Sequence, residues 1–102
     1  MENSREFSLG QLLNITSGRL FTNMDDIYDT MSYLSGDNLN TLGLLEYRKT
    51  VSDYILSVYP ELTGVGLDYS RDKESVVQYL ERQKQLFGDS FRLSPMTNSK
   101  TK

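Results

Sequence analysis

Apolar residues recur at helical spacing in residues 24–35, MDDIYDTMSYLS. They stand at offsets 0, 3, 4, 7 and 10 from the first of them: Met24, Ile27, Tyr28, Met31 and Leu34. These offsets place the side chains on one face of an α-helix, so the segment predicts an amphipathic helix. Asn23 is a favourable N-cap residue, and Gly36 can adopt the left-handed conformation that ends a helix.

A shorter helix is predicted before it, over residues 9–17, LGQLLNITS. Ser8 can cap its N-terminus, and Gly18 stands where a terminating glycine is expected. Its inward face would hold four residues: Leu9, Leu12, Leu13 and Thr16.

A third helix is predicted to begin at Asn40 or Thr41 and to reach Val58 or Tyr59. Pro60 stops it, because proline lacks the backbone N–H and disfavours helical geometry in the residue before it. Its inward stripe contains Leu44, Val51, Ile55 and Val58.

A fourth helix is predicted from a cap at Ser70 or Asp72 through Phe87, and Gly88 ends it. Its inward residues would be Val76, Val77, Leu80 and Phe87. Residues 60–70 contain two glycines and no helical period, so they predict a loop. The pair Gly64 and Gly66 lacks the third glycine and the Lys-Ser or Lys-Thr of a phosphate loop.

These segments predict a mainly α fold, a compact bundle of about four short helices. RLFT at residues 19–22 and SFRL at residues 90–93 alternate polar and apolar residues, and they could pair as a small two-stranded β-ribbon. We expect one globular domain over residues 1–94 and a flexible polar tail over residues 95–102.

The composition narrows the chemistry. With no histidine and no cysteine, the chain has no Ser-His or Cys-His nucleophile and no thiolate metal site. The first residues contain no apolar run, so a secretory signal is not expected, and no stretch is long enough to span a membrane. We therefore expect a cytoplasmic protein without enzymatic activity or a cofactor.

The charge is unevenly distributed along the chain. Residues 1–40 carry a net charge of −4 and residues 41–102 a net charge of +1. A basic stripe is typical of nucleic-acid binders, and its absence disfavours nucleic acid as a partner. A basic protein surface would suit the acidic half better.

Three acidic residues lie in the first turns of the second helix. Asp25 and Asp29 share a face at i and i+4, and with Asp26 they could hold a divalent cation through carboxylate oxygens. The simpler interpretation is that Asp25 and Asp26 stabilise the helix N-terminus through the macrodipole. No metal-loop spacing surrounds them, so the simpler interpretation is preferred.

Tyrosine is abundant, with seven residues in the chain. Tyr28 and Tyr54 lie on or beside apolar stripes and are interpreted as core residues. Tyr33 falls opposite Met31 on its helix, so we expect it to be exposed near the acidic surface. Exposed tyrosine is enriched at protein interfaces.

The stretch SGDNLN at residues 35–40 is interpreted as a corner between the second and third helices. Gly36 ends one helix, Asp37 and Asn38 turn the chain, and Asn40 caps the next. Asp37 also adds to the acidic half, and is kept as a candidate partner-binding residue with Asp25, Asp26, Asp29 and Tyr33.

Four segments resemble a family of small phage and prophage proteins of uncharacterised function. They are FSLGQLLNITSGRLF, DDIYDTMSYLSGDNLNT, YPEL and YLERQKQLFGDSFRLSPM, and together they span most of residues 7–96. The family often has a histidine where this chain has Leu42, and another where it has Tyr59. The resemblance implies a phage accessory protein that acts in a bacterial host, and it supplies no catalytic residue.

Our hypothesis from the sequence is a phage-encoded, non-catalytic protein that binds a host protein, with an anti-CRISPR-like counter-defence inhibitor as the preferred role. The alternative is a small-molecule, nucleotide or metal-binding module using Asp25, Asp26 and Asp29. A DNA-directed regulator is a third option that the charge disfavours. The sequence also leaves a homodimer open.

Overall fold

The computed structural model describes residues 4–37 and 39–96. The elements follow the chain in this order: β1 (Arg5–Phe7), α1 (Leu9–Thr16), α2 (Met24–Ser35), α3 (Thr41–Val58), a 3-10 turn (Pro60–Leu62), α4 (Val76–Phe87) and β2 (Phe91–Leu93). The predicted fold class is confirmed: four helices form the bulk of the fold, with a small antiparallel ribbon beside them.

The core lies where α1 packs against α2, α3 and α4. Its buried apolar residues form one cluster: Phe7, Leu9, Leu12, Leu13, Ile15, Phe21, Met31, Leu34, Leu44, Val51, Ile55, Leu62, Tyr79, Phe91 and Leu93. All of the apolar side chains of α1 are buried, because this helix packs against each of the other three.

The predicted ends of α1 are confirmed within one residue. Ser8 Oγ accepts a hydrogen bond from the Gln11 N–H, and the Gln11 side chain accepts one from the Ser8 N–H, a reciprocal capping box. The backbone of Gly18 is left-handed, with φ of 77°. That conformation suits glycine because it has no Cβ.

The predicted bounds of α2 and the start of α3 are also confirmed. Asn23 Oδ1 accepts from the Asp26 N–H at 2.8 Å, and Gly36 ends α2 with φ of 77°. Asn40 Oδ1 accepts from the Gly43 N–H at 2.9 Å, which identifies Asn40 as the cap of α3. Helix α3 ends at Val58, before Pro60.

The predicted start of α4 was wrong. The helix begins at Val76, and its N-cap is Ser75, whose Oγ accepts from the Gln78 N–H at 3.1 Å. Ser70 instead belongs to a turn, where its carbonyl accepts from the N–H groups of Lys73 and Glu74.

The predicted inward face of α4 is confirmed at three of its four residues, since Val76, Leu80 and Phe87 are partly buried against the core. Val77, expected inside, is 68% exposed, whereas Tyr79 is buried. The apolar pattern missed the most deeply buried positions of α4 because they are this tyrosine and a glutamine, Gln83.

Replacing Ser75 with alanine tests this boundary. We expect Ser75→Ala to lower the free energy of unfolding by about 1 kcal/mol, because the N–H of Gln78 loses its cap. Ser70→Ala is the matched control and should change stability by less than about 0.5 kcal/mol, because no capping bond is lost. Urea denaturation followed by circular dichroism measures both. Equal losses in the two variants would contradict a cap at Ser75.

The ribbon contains one predicted strand and one that was not predicted. β2 pairs with β1 in antiparallel register, Arg5 opposite Leu93 and Phe7 opposite Phe91. Residues 19–22, the predicted partner, do not form a strand. Their backbone is used otherwise: the N–H groups of Phe21 and Thr22 both donate to a side chain of α1, described below.

The segment after β2 packs on the helices as far as Met96. The N–H of Met96 donates to the carbonyl of Leu34 at 2.8 Å, and the Tyr54 hydroxyl donates to the Ser94 carbonyl at 2.5 Å. Residues 97–102, most of the predicted polar tail, lie outside the described residues. Within residues 4–37 and 39–96, no helix combines the length and apolar character needed to cross a membrane.

Candidate functional site

Two of the predicted partner-binding residues are occupied by contacts with β1. The guanidinium of Arg5 forms an ion pair with the Asp29 carboxylate, and this bond raises the pKa of Arg5. The same guanidinium lies 5.2 Å from the ring centre of Tyr33, whose ring also packs against Phe7 at 5.8 Å. The expected exposure of Tyr33 was therefore wrong: it is half-buried, because β1 covers that side of α2.

Asp25 and Asp26 differ from Asp29. Within the described part of the chain, neither carboxylate has a hydrogen bond or an ion pair, and Asp25 is exposed. Among these described residues, no group of three carboxylates is placed to hold a metal ion. The Asp29 carboxylate is already occupied by Arg5, so the three acids do not form one cation site.

The corner residues lie at the opposite end of α2 from Asp25. Gly36 and Asp37 are exposed there, and the Asp37 N–H donates to Ser35 Oγ at 3.2 Å. Asn38, the third predicted corner residue, lies outside the described residues. At 1.5 Å per residue, the last residue of α2, Ser35, is about 15 Å along the helix from Asp25. The predicted residues therefore do not meet in a single site.

Several tyrosine hydroxyls bind the backbone of distant segments. The Tyr59 hydroxyl accepts a hydrogen bond from the Arg92 N–H and donates one to the Arg92 carbonyl, both at 2.9 Å, along the edge of β2 that is not paired with β1. The Tyr79 hydroxyl accepts from the Gly66 N–H at 2.7 Å and donates to Asp68 at 2.5 Å. Burial and the bond to Asp68 raise the pKa of Tyr79 to about 12. These tyrosines hold the fold together rather than form a surface.

An apolar cleft that the sequence pattern did not indicate lies between α1, α2 and α3. Its volume is about 170 Å³. Its apolar walls are formed by five residues of the three helices: Ile15, Ile27, Met31, Leu44 and Leu45. A dry cavity of about 150 Å³ accepts a benzene-sized group, so the cleft has room for one apolar side chain.

Arg48 is the only charged residue among those that line the cleft. Its guanidinium lies against Gly18: a Cβ added at Gly18 would be 2.5 Å from Arg48 Nη2. Across residues 4–37 and 39–96, Arg48 has no hydrogen bond or ion pair, whereas Arg5, Arg82 and Arg92 each bind a carboxylate. The mouth of the cleft therefore carries a cation without a partner.

Three exposed apolar side chains line the cleft or lie one helical turn from a residue that does. Leu45 is 72% exposed although it lines the cleft, and Leu42, one turn earlier on α3, is 69% exposed. Met24 is 50% exposed and continues the Ile27–Met31 stripe of α2 by one turn. We call the cleft, which includes Arg48, together with these three side chains the cleft face. Leu42 and Leu45 are apolar but lie outside the predicted inward stripe of α3. Their position was the signal in the sequence that this side of α3 carries an exposed apolar surface.

The fold and this surface define a small helical protein with an open apolar cleft and a cation, Arg48, at its mouth. The chain belongs to the family described as a domain of unknown function, DUF7736, whose model matches residues 7–65. The matched region includes α1, α2 and α3, and so every residue that lines the cleft. The chain matches no curated protein and no solved structure.

Proposed function

We propose that this protein is a non-catalytic accessory protein, encoded by a phage, that binds a host protein in the bacterial cytoplasm. The observation that carries the proposal is the cleft face, where an open apolar cleft is bordered by exposed Leu42 and Leu45. Pockets that accept one apolar anchor, with charged groups at the rim, are typical of the energetic centre of protein interfaces. The resemblance to small phage proteins supports the phage origin.

Counter-defence is the role that we propose within this class. A host defence protein that binds nucleic acid carries basic surface, and the carboxylates of Asp25 and Asp26 at the start of α2 would complement such a surface. The acidic half of the chain, with net charge −4, favours the same type of partner. An inhibitor of this kind needs no active site, because it acts by occupying the surface that its target uses.

The binding proposal is tested by capturing host proteins from bacterial lysate on the wild-type protein and on a variant of the cleft face. We expect the wild-type protein to retain a host protein, and Leu45→Asp to retain less than about a tenth of that amount. The reason is that a charge replaces part of the apolar wall of the cleft. Quantitative mass spectrometry of the retained fraction provides the measurement. The interaction is then reconstituted from the two purified proteins.

Leu86→Asp is the matched control for this experiment. Leu86 is 71% exposed, like Leu45, but it lies on α4, which contributes no residue to the cleft. We expect Leu86→Asp to retain the partner as wild type does. If every retained protein is held equally by both variants, the cleft face is not the binding surface and the proposal fails.

A further inference from the structure

The cleft between α1, α2 and α3 has the size and the lining of a site for a small organic molecule. Its volume of about 170 Å³ is close to that of cavities that hold benzene, and its walls are apolar side chains such as Ile15, Ile27 and Leu44. Sites for small ligands are mostly apolar and contain a few polar groups that orient the ligand. The polar side chains of the cleft therefore indicate which chemical group a ligand would carry.

Within residues 4–37 and 39–96, two polar side chains line the cleft, and both offer hydrogen-bond donors without a spare acceptor. Asn14 is 4% exposed, and its Oδ1 already accepts from the N–H groups of Phe21 and Thr22. Its Nδ2 donates one hydrogen to Thr22 Oγ1, and the second has no acceptor among the described residues. Arg48 adds five N–H donors that have no acceptor in that part of the chain. A ligand that brings donors, such as an amine, would find no acceptor on these two side chains.

The guanidinium of Arg48 is positioned at the mouth by its contact with the end of α1. The place of a Cβ at Gly18 lies 2.5 Å from Arg48 Nη2 and 3.2 Å from Arg48 Cζ, so the guanidinium occupies the space that a side chain at position 18 would fill. The carbonyl end of a helix carries only about half an elementary negative charge, so it does not neutralise this cation. No carboxylate lines the cleft in the described part of the chain. An apolar volume with a cation at its mouth complements a carboxylate attached to a small apolar body.

We propose that the cleft binds a small organic carboxylate whose apolar part is about the size of a benzene ring. The apolar part lies against Ile15, Ile27 and Leu44, and the carboxylate accepts hydrogen bonds from Arg48. Phenylacetate represents this class, with one ring, one short link and one carboxylate. The site does not rest on the proposed host partner, although a bound ligand would occupy the cleft that the partner uses. Ligand binding is measured with the purified protein alone, so its failure is distinct from failure to bind a host protein.

Isoleucine methyl groups can report ligand binding in this cleft without any substitution. The chain contains three isoleucines: Ile15 and Ile27 line the cleft, whereas Ile55 is buried and is not among the lining residues. We expect phenylacetate, added to protein with isotope-labelled isoleucine methyl groups, to shift the NMR signals of Ile15 and Ile27 until they saturate. The signal of Ile55 should stay in place. The dependence of the two shifts on ligand concentration gives the Kd.

Phenylacetamide is the matched control ligand, because it carries a neutral amide in place of the carboxylate on the same apolar body. Phenylacetate should bind the wild-type protein at least about fivefold more tightly, since a carboxylate forms charge-assisted hydrogen bonds with arginine. Arg48→Gln should bring the two Kd values within about twofold of each other, because the cation that distinguishes the two ligands is gone. Binding of phenylacetamide itself should change little, because the apolar walls are intact.

Lys49→Gln is the matched control variant. Lys49 follows Arg48 on α3 and is exposed, but it does not line the cleft and it pairs with Asp53 at 3.0 Å. This variant should keep the wild-type preference for phenylacetate. The proposal is overturned if phenylacetate shifts neither cleft isoleucine or shifts Ile55 equally, if phenylacetamide binds wild type as tightly, or if Arg48→Gln keeps the preference. The comparison of the two ligands on the wild-type protein does not depend on the folding of any variant.

Discussion

Gly66→Ala should lower the free energy of unfolding by roughly 2–4 kcal/mol. The backbone of Gly66 is left-handed, with φ of 96°, which strains any residue with a Cβ. An alanine Cβ there would also lie 2.9 Å from Ser17 Cβ and 3.2 Å from Phe21 Cε2. Accommodating it would shift the Gly66 N–H away from the Tyr79 hydroxyl that now accepts its hydrogen bond.

Gly64→Ala separates the backbone strain from the collision. Gly64 is also left-handed, with φ of 82°, but a Cβ at that position meets no atom within 4 Å. Its cost should be about 1 kcal/mol, the strain alone. Urea denaturation gives both values. A loss in Gly66→Ala no larger than that in Gly64→Ala would show that the segment moves away from Ser17 and Phe21 without cost.

Asn14→Ala should also be strongly destabilising, by roughly 2–4 kcal/mol. Asn14 is 4% exposed, and its Oδ1 accepts from the N–H groups of Phe21 and Thr22 at 2.6 and 3.1 Å. Its Nδ2 donates to Thr22 Oγ1 at 2.7 Å. Alanine would leave the Phe21 N–H buried without a partner, and the loop between α1 and α2 would lose its attachment.

Asn23→Ala is the control for Asn14→Ala. Its side chain also accepts from a backbone N–H, that of Asp26, but the bond is exposed and water can replace it. The expected loss is about 1 kcal/mol, typical of an N-cap. Thermal unfolding of the two variants makes the comparison. If the two variants lower Tm by similar amounts, burial of the Asn14 hydrogen bonds does not increase their contribution to stability.

Local signals in the sequence predicted α1, α2 and α3. Each of these helices begins at a capping residue and stops at a glycine or before a proline, and such signals act over only a few residues. Helix α4 was predicted less well because Ser70 and Ser75 are both acceptable caps. Local sequence could not show that Tyr79 of this helix packs against Phe21 and Tyr69, which are distant in the chain.

The correct pairing of the ribbon strands and the presence of the cleft were not predicted from the sequence, because both form through contacts between residues that are distant in the chain. A three-residue strand has no pattern of its own, so the sequence could not tell whether residues 5–7 or residues 19–22 pair with β2. The cleft forms where three helices fail to close completely around Leu44, and no local pattern records such a gap. The position of Leu42 and Leu45 outside the inward stripe was a visible signal, but it could not show that a cavity lay beside them.

The pairing of β1 with β2 makes the chain nearly a closed ring. Ser4 and Arg92, which are hydrogen-bonded, are separated by 88 positions. Closing so long a loop carries a large entropic cost, so the ribbon should form late in folding, after the helices have brought its strands together. The same closure brings residues 5 and 93 side by side, so a linker that begins after Met96 and ends before Arg5 could close the chain in a circular permutant. New ends opened at Gly64, an exposed turn residue, would leave every helix and both strands intact.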